Sequence, residues 1–224
     1  GCVDFKIGSG EMTDIPTLLE ISKFAKNLIL STGMSTFEEI DRTYLELKKT
    51  GVNFCFLNCI SEYPTLYEDL NLNVIPKMIS KYNDIFIGHS DHTDDIYSSI
   101  VAVALGARII EKHVTLDKNF KGPDDDVSID FKMFKQMSIQ IRNIEKSLGD
   151  EKKVHENEKQ IREWAFRSLV AIKDIEKNQI ISKDMIWSKR PGTGVPSYEM
   201  KNFIGKKVNK KIYKNTLIMW EDIN

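Results

Sequence analysis

The segment Ile87–His113, IGHSDHTDDIYSSIVAVALGARIIEKH, decides the fold of the first part of the chain. It begins at the last residue of an apolar run, 85–87, and continues with a polar segment, an amphipathic stretch and a second apolar run that is closed by a histidine. This order predicts a strand, a helix and a second strand that lies parallel to the first. His92 follows the first strand and His113 closes the second, so we expect both imidazoles at one edge of the sheet. Two such imidazoles predict a divalent-metal site, completed by carboxylates or water.

The same unit recurs upstream, which predicts an α/β architecture. The predicted strands are Phe5–Ile7, Leu28–Leu30, Phe54–Leu57, Ile85–Ile87 and Arg108–Ile110. The predicted helices are Ile15–Ala25, Thr36–Thr50, Leu72–Lys81, Ile96–Leu105 and Asp130–Ser147. Each strand ends in polar residues, which is typical of the active face of a TIM barrel or of the crevice of an open doubly wound sheet. Five strands cannot close an eight-stranded barrel, so we expect the front of the barrel to be missing.

The composition narrows the class of protein. The chain has 224 residues, 41% of them hydrophobic, and a formal net charge of −1, so binding to nucleic acid or to a membrane surface is not expected. Three cysteines, Cys2, Cys55 and Cys59, form no zinc pattern, and the last two are expected to be buried thiols. There is no signal peptide and no apolar run near 20 residues, which predicts a soluble, cytoplasmic protein.

The character of the chain changes after Gly149. We expect a partial barrel domain at 1–149, a charged linker with some helix at 150–163, and a compact, mostly irregular β domain at 164–224. A basic run usually forms a solvated face, and this is what we expect for Lys206–Lys214 in the last domain.

Candidate site residues gather at the predicted strand ends. Lys6 lies in an otherwise apolar strand, Ser9 lies between two glycines, and Ser31 lies two residues before Gly33. This rim is therefore expected to bind a phosphate or carboxylate, helped by backbone N–H groups. Asp91 is expected to orient His92 or to balance its charge. Asp124 follows a Gly-Pro turn, and Glu11 and Tyr63 lie on loops at the same face, so these three are further candidates. Glu111 is expected to point away from Ile110 and Lys112, and it is not assigned a role.

Seven ordered motifs resemble the N-acetylneuraminate (sialic acid) synthase family. They are KIGSGE at 6–11, LSTGM at 30–34, CISEYP at 59–64, GHSDHT at 88–93, EKHVT at 111–115, GPD at 122–124, and KRPGTG at 189–194. The last is similar to the signature loop of the type III antifreeze-like (SAF) domain that ends proteins of this family. The resemblance covers nearly the whole chain and implies the last five βα units of a TIM (β/α)8 barrel, followed by that domain.

The resemblance also implies an activity: metal-dependent condensation of phosphoenolpyruvate with N-acetylmannosamine to a nine-carbon 2-keto acid, with release of phosphate. His92 and His113 fall on the metal ligands, usually for Mn²⁺, with Mg²⁺ or Co²⁺ also possible. Glu11 falls on a proton-transfer carboxylate, and Arg190 falls on an arginine lent to the partner subunit in a domain-swapped homodimer. The positions that fall on phosphoenolpyruvate contacts are Lys6, Ser9, Ser31, Ser61 and Ser90, and those on sugar contacts are Tyr63 and Asp124.

Two departures and three alternatives stay open. Ser61 stands where the family often has an amide, and the first strands of the barrel, with a further lysine and acidic residues, have no counterpart, so the isolated chain is expected to be inactive. A legionaminic or pseudaminic acid synthase shares the same chemistry, although the GPD turn favours the sialic or legionaminic branch. A non-catalytic remnant, completed by a separate N-terminal polypeptide, is the third reading.

Overall fold

A computed structural model describes residues 1–120 and 122–223 of the chain. The chain forms two compact units, Gly1–Gly149 and Asp150–Asn224. Within the described residues, no helix combines the length and the apolar character needed to cross a membrane.

The first unit is built on one parallel five-stranded sheet, with the strands in chain order. The strands are β1 (Asp4–Ile7), β2 (Asn27–Ser31), β3 (Asn53–Cys59), β4 (Phe86–Asp91) and β5 (Ile110–Lys112). The α/β alternation predicted from the sequence is therefore present. The fifth strand was placed two residues too early, because Arg108 already donates a hydrogen bond to the Ile87 carbonyl, at 2.8 Å, before the regular ladder begins.

Helices follow the strands, three of them with a side-chain cap from Asp14, Thr36 or Asp130 in the first turn. They are α1 (Ile15–Ser22), α2 (Phe37–Thr50), α3 (Val74–Lys81), α4 (Tyr97–Ala104) and α5 (Phe131–Ser147). Helix α2 has the capping box that its spacing predicts, with Thr36 and Glu39 bonded reciprocally, and it ends at Gly51 in the left-handed region (φ 77°). Helix α1 is shorter than the predicted Ile15–Ala25, because the chain tightens there into i→i+3 bonds such as Phe24 N to Ile21 O.

Side-chain alternation divides the sheet into an apolar face and a polar rim. The outer face carries Leu28, Leu30, Phe54, Phe56 and Ile87, which form the buried core together with residues of the helices. The inner face carries Lys6 on β1 and Glu111 on β5, and these two side chains are 3.2 Å apart although three strands separate them. A flat sheet would keep the first and fifth strands about 19 Å apart. The sheet is therefore strongly curved, as a half-barrel.

Strands β4 and β5 approach each other closely at Gly88. A Cβ at this position would lie 2.4 Å from the backbone carbonyl of Ile109 and 2.5 Å from a methyl carbon of Leu57. The absence of a side chain lets the inner wall close between these strands.

A short parallel pair that the sequence did not predict follows β5. Strands β6 (Val114–Thr115) and β7 (Ile129–Asp130) pair side by side. Asp130 then caps α5 by accepting a hydrogen bond from Met133 N at 2.7 Å. The loop between β6 and β7 carries Asp124, so both ends of that loop are fixed close to His113.

The second unit has little regular structure around its own core. It contains α6 (Glu156–Ala165), an antiparallel pair made by β8 (Ser168–Ala171) and β9 (Ile186–Lys189), and α7 (Met200–Phe203). Isolated bridges, such as Val170 to Leu217, join the remaining segments. The fully buried core of this unit comprises Leu169, Ala171, Ile175, Ile186, Val195, Val208 and Ile218.

Candidate active site

Two imidazoles meet at the carboxyl edge of the half-barrel sheet. His92 directly follows β4 and His113 directly follows β5, and the preceding residues, Asp91 and Lys112, are partners in the ladder. The ring centroids of the two histidines lie 5.2 Å apart, with the ring planes inclined by 60°. This is the placement that the strand–helix–strand pattern predicts.

Backbone and aromatic contacts fix the orientation of His92. Its Nδ1 lies 2.7 Å from the carbonyl oxygen of Ile60. A carbonyl can only accept a hydrogen bond, so Nδ1 carries the proton, and in the neutral ring Nε2 carries the lone pair. The Tyr63 ring stacks on His92 at 4.1 Å between centroids and meets His113 edge-on at 5.6 Å.

His113 is favoured as the neutral imidazole. Burial lowers its pKa and the neighbouring His92 lowers it further, while Asp124 and Glu111 oppose that shift without cancelling it. Asp124 Oδ2 lies 3.7 Å from His113 Nδ1, which is too long for a hydrogen bond. Neutral imidazoles are the form that binds divalent metal ions.

The imidazole pair fits a divalent cation, but as a partial ligand set. Across 1–120 and 122–223, no group of three or more His, Cys, Asp or Glu side chains is arranged to hold a metal ion. His92 has the backbone partner on its distal nitrogen that is typical of metal-bound histidines. Two protein nitrogens would then leave the other coordination positions to water or substrate.

Asp91 does not orient His92, so that expectation from the sequence is wrong. Strand alternation turns Asp91 to the helix side of the sheet, where Lys112 Nζ lies 3.3 Å away. Its other donors are Thr93 N at 2.9 Å, Thr93 Oγ1 at 2.8 Å, Ser98 Oγ at 2.5 Å and Ser99 Oγ at 2.6 Å. The result is a cross-link between β4, β5 and α4 directly behind the two histidines.

The Asp91–Lys112 pair is fully buried, with side-chain exposures of 0% and 1%. Burial raises the pKa of Asp91, but the Lys112 ammonium and the bonds from Ser98, Ser99 and Thr93 outweigh it, so the pKa lies below its usual value. Burial lowers the pKa of Lys112 by more than Asp91 raises it. We take the pair as charged, because the carboxylate has four further donors and the ammonium also donates to the Thr93 carbonyl.

Lys6 and Ser90 both contact the carboxylate of Glu111, a residue to which the sequence pattern gave no role. Glu111 Oε2 lies 3.2 Å from Lys6 Nζ, and Glu111 Oε1 accepts a hydrogen bond from Ser90 Oγ, also at 3.2 Å. The signal was available: Ser90 and Glu111 are ladder partners, and partners in neighbouring strands point to the same face of a sheet. Glu111 therefore belongs to the inner rim.

Ser9 and Ser61 lie over Gly33. Ser9 Oγ accepts a hydrogen bond from Gly33 N at 3.0 Å, so this backbone donor, which the sequence offered to an anion, is already used. A Cβ on Gly33 would come within 2.8 Å of Ser9 Oγ and 2.2 Å of Ser61 Oγ. Cys59 Sγ borders the same space and lies 3.8 Å from His92 Nδ1, which connects this cradle to the imidazoles.

The remaining candidates are placed less centrally. Ser31 Oγ is buried at the end of β2 and has no hydrogen-bond partner among the described residues. Glu11 is exposed in a 3₁₀ turn, with its carboxylate turned back toward Gly8. Arg190 belongs to the second unit, where its Nε donates to the Ala165 carbonyl at 3.0 Å and its guanidinium lies over the Trp164 ring.

Comparisons with known proteins give a family match for each of the two units. The NeuB family model matches residues 1–153, and the SAF domain model matches residues 166–224. The N,N'-diacetyllegionaminic acid synthase of Campylobacter jejuni is 40% identical over 218 residues, which are 96% of this chain and 65% of that protein. A pseudaminic acid synthase of the same species is 40% identical over 213 residues, which are 94% of this chain and 61% of that protein.

Among solved structures, the N-acetylneuraminic acid (sialic acid) synthetase of Leptospira borgpetersenii, crystallised with citrate, matches with a TM-score of 0.66 and 36% identity. The match covers 72% of this chain and 56% of that one. The chain thus spans less than two thirds of the length of the curated relatives named above.

Proposed function

Because this chain belongs to the NeuB family, we propose that it carries the main part of the active site of a sugar-acid synthase. The proposed reaction condenses phosphoenolpyruvate with an N-acyl amino sugar to a nine-carbon 2-keto acid and releases phosphate. The observation that carries this proposal is the meeting of His92 and His113, 5.2 Å apart, at the sheet edge that also holds a lysine and several serine hydroxyls. An anion and a polarised carbonyl would be held side by side there.

One half of the site is suited to phosphoenolpyruvate, which is a polyanion near neutral pH. Lys6 on β1 supplies a positive charge at the inner face of the sheet, and Ser90 on β4 supplies a hydroxyl at the same face. Ser9 and Ser61 border the space over Gly33 that a Cβ would fill, and the buried Ser31 hydroxyl is available as a further donor. Holding two substrates in one geometry lowers the entropic part of the barrier.

The other half is suited to the aldehyde of the sugar. His92 and His113 would hold a divalent cation, which we propose to be Mn²⁺ with Mg²⁺ and Co²⁺ as alternatives, and the bound ion would supply Lewis-acid polarisation of the aldehyde oxygen. His92 offers Nε2 because Ile60 holds its Nδ1 proton, and Tyr63 keeps that ring in place. Asp124, on the loop beside His113, is proposed to bind a sugar hydroxyl, and Glu11 is proposed to transfer a proton once its side chain turns from Gly8.

Sequence identity leaves two acceptor classes in contention. N-Acetylmannosamine is the acceptor that the sialic acid branch implies, and the Leptospira synthetase of that branch is 36% identical. The 40% identity to a diacetyllegionaminic acid synthase and, equally, to a pseudaminic acid synthase makes the amino sugars of those two branches the second candidate class. The mass of the product formed from each sugar separates the two.

We further propose that the curved five-stranded sheet represents five units of a (β/α)8 barrel, and that Arg190 reaches the active site of a partner subunit in a domain-swapped homodimer. The curvature supports the first point, and the SAF match over 166–224 supports the second. Five strands leave the pocket open, so the 224-residue chain by itself is expected to release no phosphate above background.

The experiment compares the 224-residue chain with a form extended at its N-terminus to the length of the relatives. Each is given Mn²⁺, either amino sugar, and phosphoenolpyruvate labelled with ¹⁸O at the bridging oxygen. The extended form is expected to produce a nine-carbon 2-keto acid and to place the label in phosphate, because the C–O bond breaks. Lys6→Met is expected to abolish this, and Lys23→Met, at an exposed lysine that ends α1, is the control. Label retained in the organic product, or no product with either sugar, refutes the proposal.

A further inference from the structure

We propose that Glu111 is an internal counter-ion, which occupies the anion-binding groups of the free protein and competes with an incoming anion for them. This inference rests on the proposed function only in taking phosphoenolpyruvate as the natural anion. The inference itself concerns any phosphate or carboxylate that binds at Lys6 and Ser90.

The contacts show one carboxylate bound to both groups. Glu111 on β5 uses Oε2 for Lys6 on β1, at 3.2 Å, and Oε1 for Ser90 on β4, at 3.2 Å. The Lys6 ammonium has three N–H donors, and a second of them goes to the Ile7 carbonyl at 3.0 Å. An anion that takes both Lys6 and Ser90 therefore meets Glu111 on the same two groups.

The exposure of this pair separates it from the neighbouring one. The Lys6 and Glu111 side chains are 35% and 37% exposed, whereas those of Lys112 and Asp91 are 1% and 0% exposed. A half-exposed ion pair contributes little to stability, since water screens it, whereas a buried pair is expensive to break. Of the two charges that alternate along β5, Lys112 is thus a fixed part of the wall and Glu111 is replaceable.

The charge of Glu111 determines by how much this residue weakens anion binding. A dianion bound to Lys6 lies roughly 6 Å from the Glu111 carboxylate if that carboxylate stays in place, and in a medium close to water the repulsion weakens binding about tenfold. Moving Glu111 away instead breaks its two contacts, which carries a cost of similar size. The carboxylate also keeps Lys6 and Ser90 converged on one point, ready for a ligand that presents two oxygens.

The test is Glu111→Gln in the 224-residue chain, without divalent metal and at low salt, with affinity measured by isothermal titration calorimetry. Glutamine keeps the shape and can still accept from Ser90, but it removes the charge beside Lys6. Inorganic phosphate at about pH 8, a dianion, is the probe that isolates the charge effect, and phosphoenolpyruvate is titrated in parallel. The control is Glu46→Gln on α2. Glu46 pairs with Lys49 at 2.6 Å, and its side chain is 33% exposed, a fraction similar to that of Glu111.

Glu111→Gln is expected to bind phosphate about tenfold more tightly than the wild type, and Glu46→Gln to leave the Kd unchanged. A folding defect cannot produce tighter binding, so this gain distinguishes the proposed role from a structural one. An unchanged or weaker Kd in Glu111→Gln overturns the inference, and Glu111→Ala is judged by the same criterion if the glutamine variant does not fold.

The two proposals fail separately. If phosphoenolpyruvate binds no more tightly than phosphate in the N-terminally extended form, the proposed function loses its support, while tighter phosphate binding in Glu111→Gln of the 224-residue chain still upholds the counter-ion.

Discussion

Replacing Lys112 by Met tests the buried cross-link behind the histidines. The substitution keeps most of the apolar stem but leaves the Asp91 carboxylate, 0% exposed, without its ammonium. Breaking one partner of a buried pair generally costs about 3–5 kcal/mol. Four donors from Thr93, Ser98 and Ser99 remain on Asp91, so the expected loss is at the low end, about 3 kcal/mol. For a unit of this size that lowers Tm by roughly 6–12 °C.

Urea unfolding followed by circular dichroism measures this free energy, with the slope m checked for constancy. The matched control is Lys48→Met, because Lys48 pairs with Asp84 at 2.6 Å but both side chains are well exposed, at 45% and 40%. That variant is expected to unfold at nearly the same urea concentration as the wild type, because water screens an exposed ion pair. A Lys112→Met protein as stable as Lys48→Met would refute the reasoning, since the pair could then not be the buried cross-link described.

Three further predictions follow from the inner rim and its thiols. Gly33→Ala is expected to push aside the two hydroxyls that its Cβ would meet at 2.2 and 2.8 Å, so phosphate affinity in calorimetry falls while Tm changes little. Gly88→Ala places a Cβ 2.4 Å from a backbone carbonyl and is expected to cost about 1–3 kcal/mol in urea unfolding; wild-type stability would show that the strands can separate freely there. In the native chain only the exposed Cys2 is expected to react with a chromogenic disulfide at about pH 8, because Cys55 and Cys59 are buried and burial raises the pKa of Cys55 to about 11. Denaturation should expose all three thiols, and reaction of three in the native state would contradict the burial.

Periodicity predicted much of the fold because short apolar runs recur at similar intervals and glycines with positive φ, Gly51 and Gly106, follow α2 and α4. The order of strands and helices in the first unit, and the juxtaposition of His92 and His113, follow from the strand–helix–strand pattern alone. The pair β6–β7 could not be predicted, since two residues per strand leave no periodic signal. Its bonds are satisfied only because the chain returns to His113, where Ile129 N meets the carbonyl at 3.0 Å.

The site was harder to predict, because its partners come from separate elements. Asp91 was expected to orient His92, its neighbour in sequence, or to balance its charge, but strand alternation sends adjacent side chains to opposite faces. Its true partners lie on α4 and β5. Glu111 was seen to point away from Lys112 but was given no role, because only the curvature of the sheet brings Lys6 from β1 within reach. Local pattern fixes which face a residue takes, whereas closure of the sheet decides what it meets.

Electron paramagnetic resonance titration with Mn²⁺ measures directly whether the imidazoles of His92 and His113 bind one divalent cation, as we propose. Wild-type chain is compared with His92→Ala, His113→Ala and, as a control, His155→Ala, whose imidazole is exposed just before α6. We predict that the first two variants each weaken binding by at least about tenfold and that the control binds as the wild type does. Undiminished Mn²⁺ binding in both His92→Ala and His113→Ala would contradict the account.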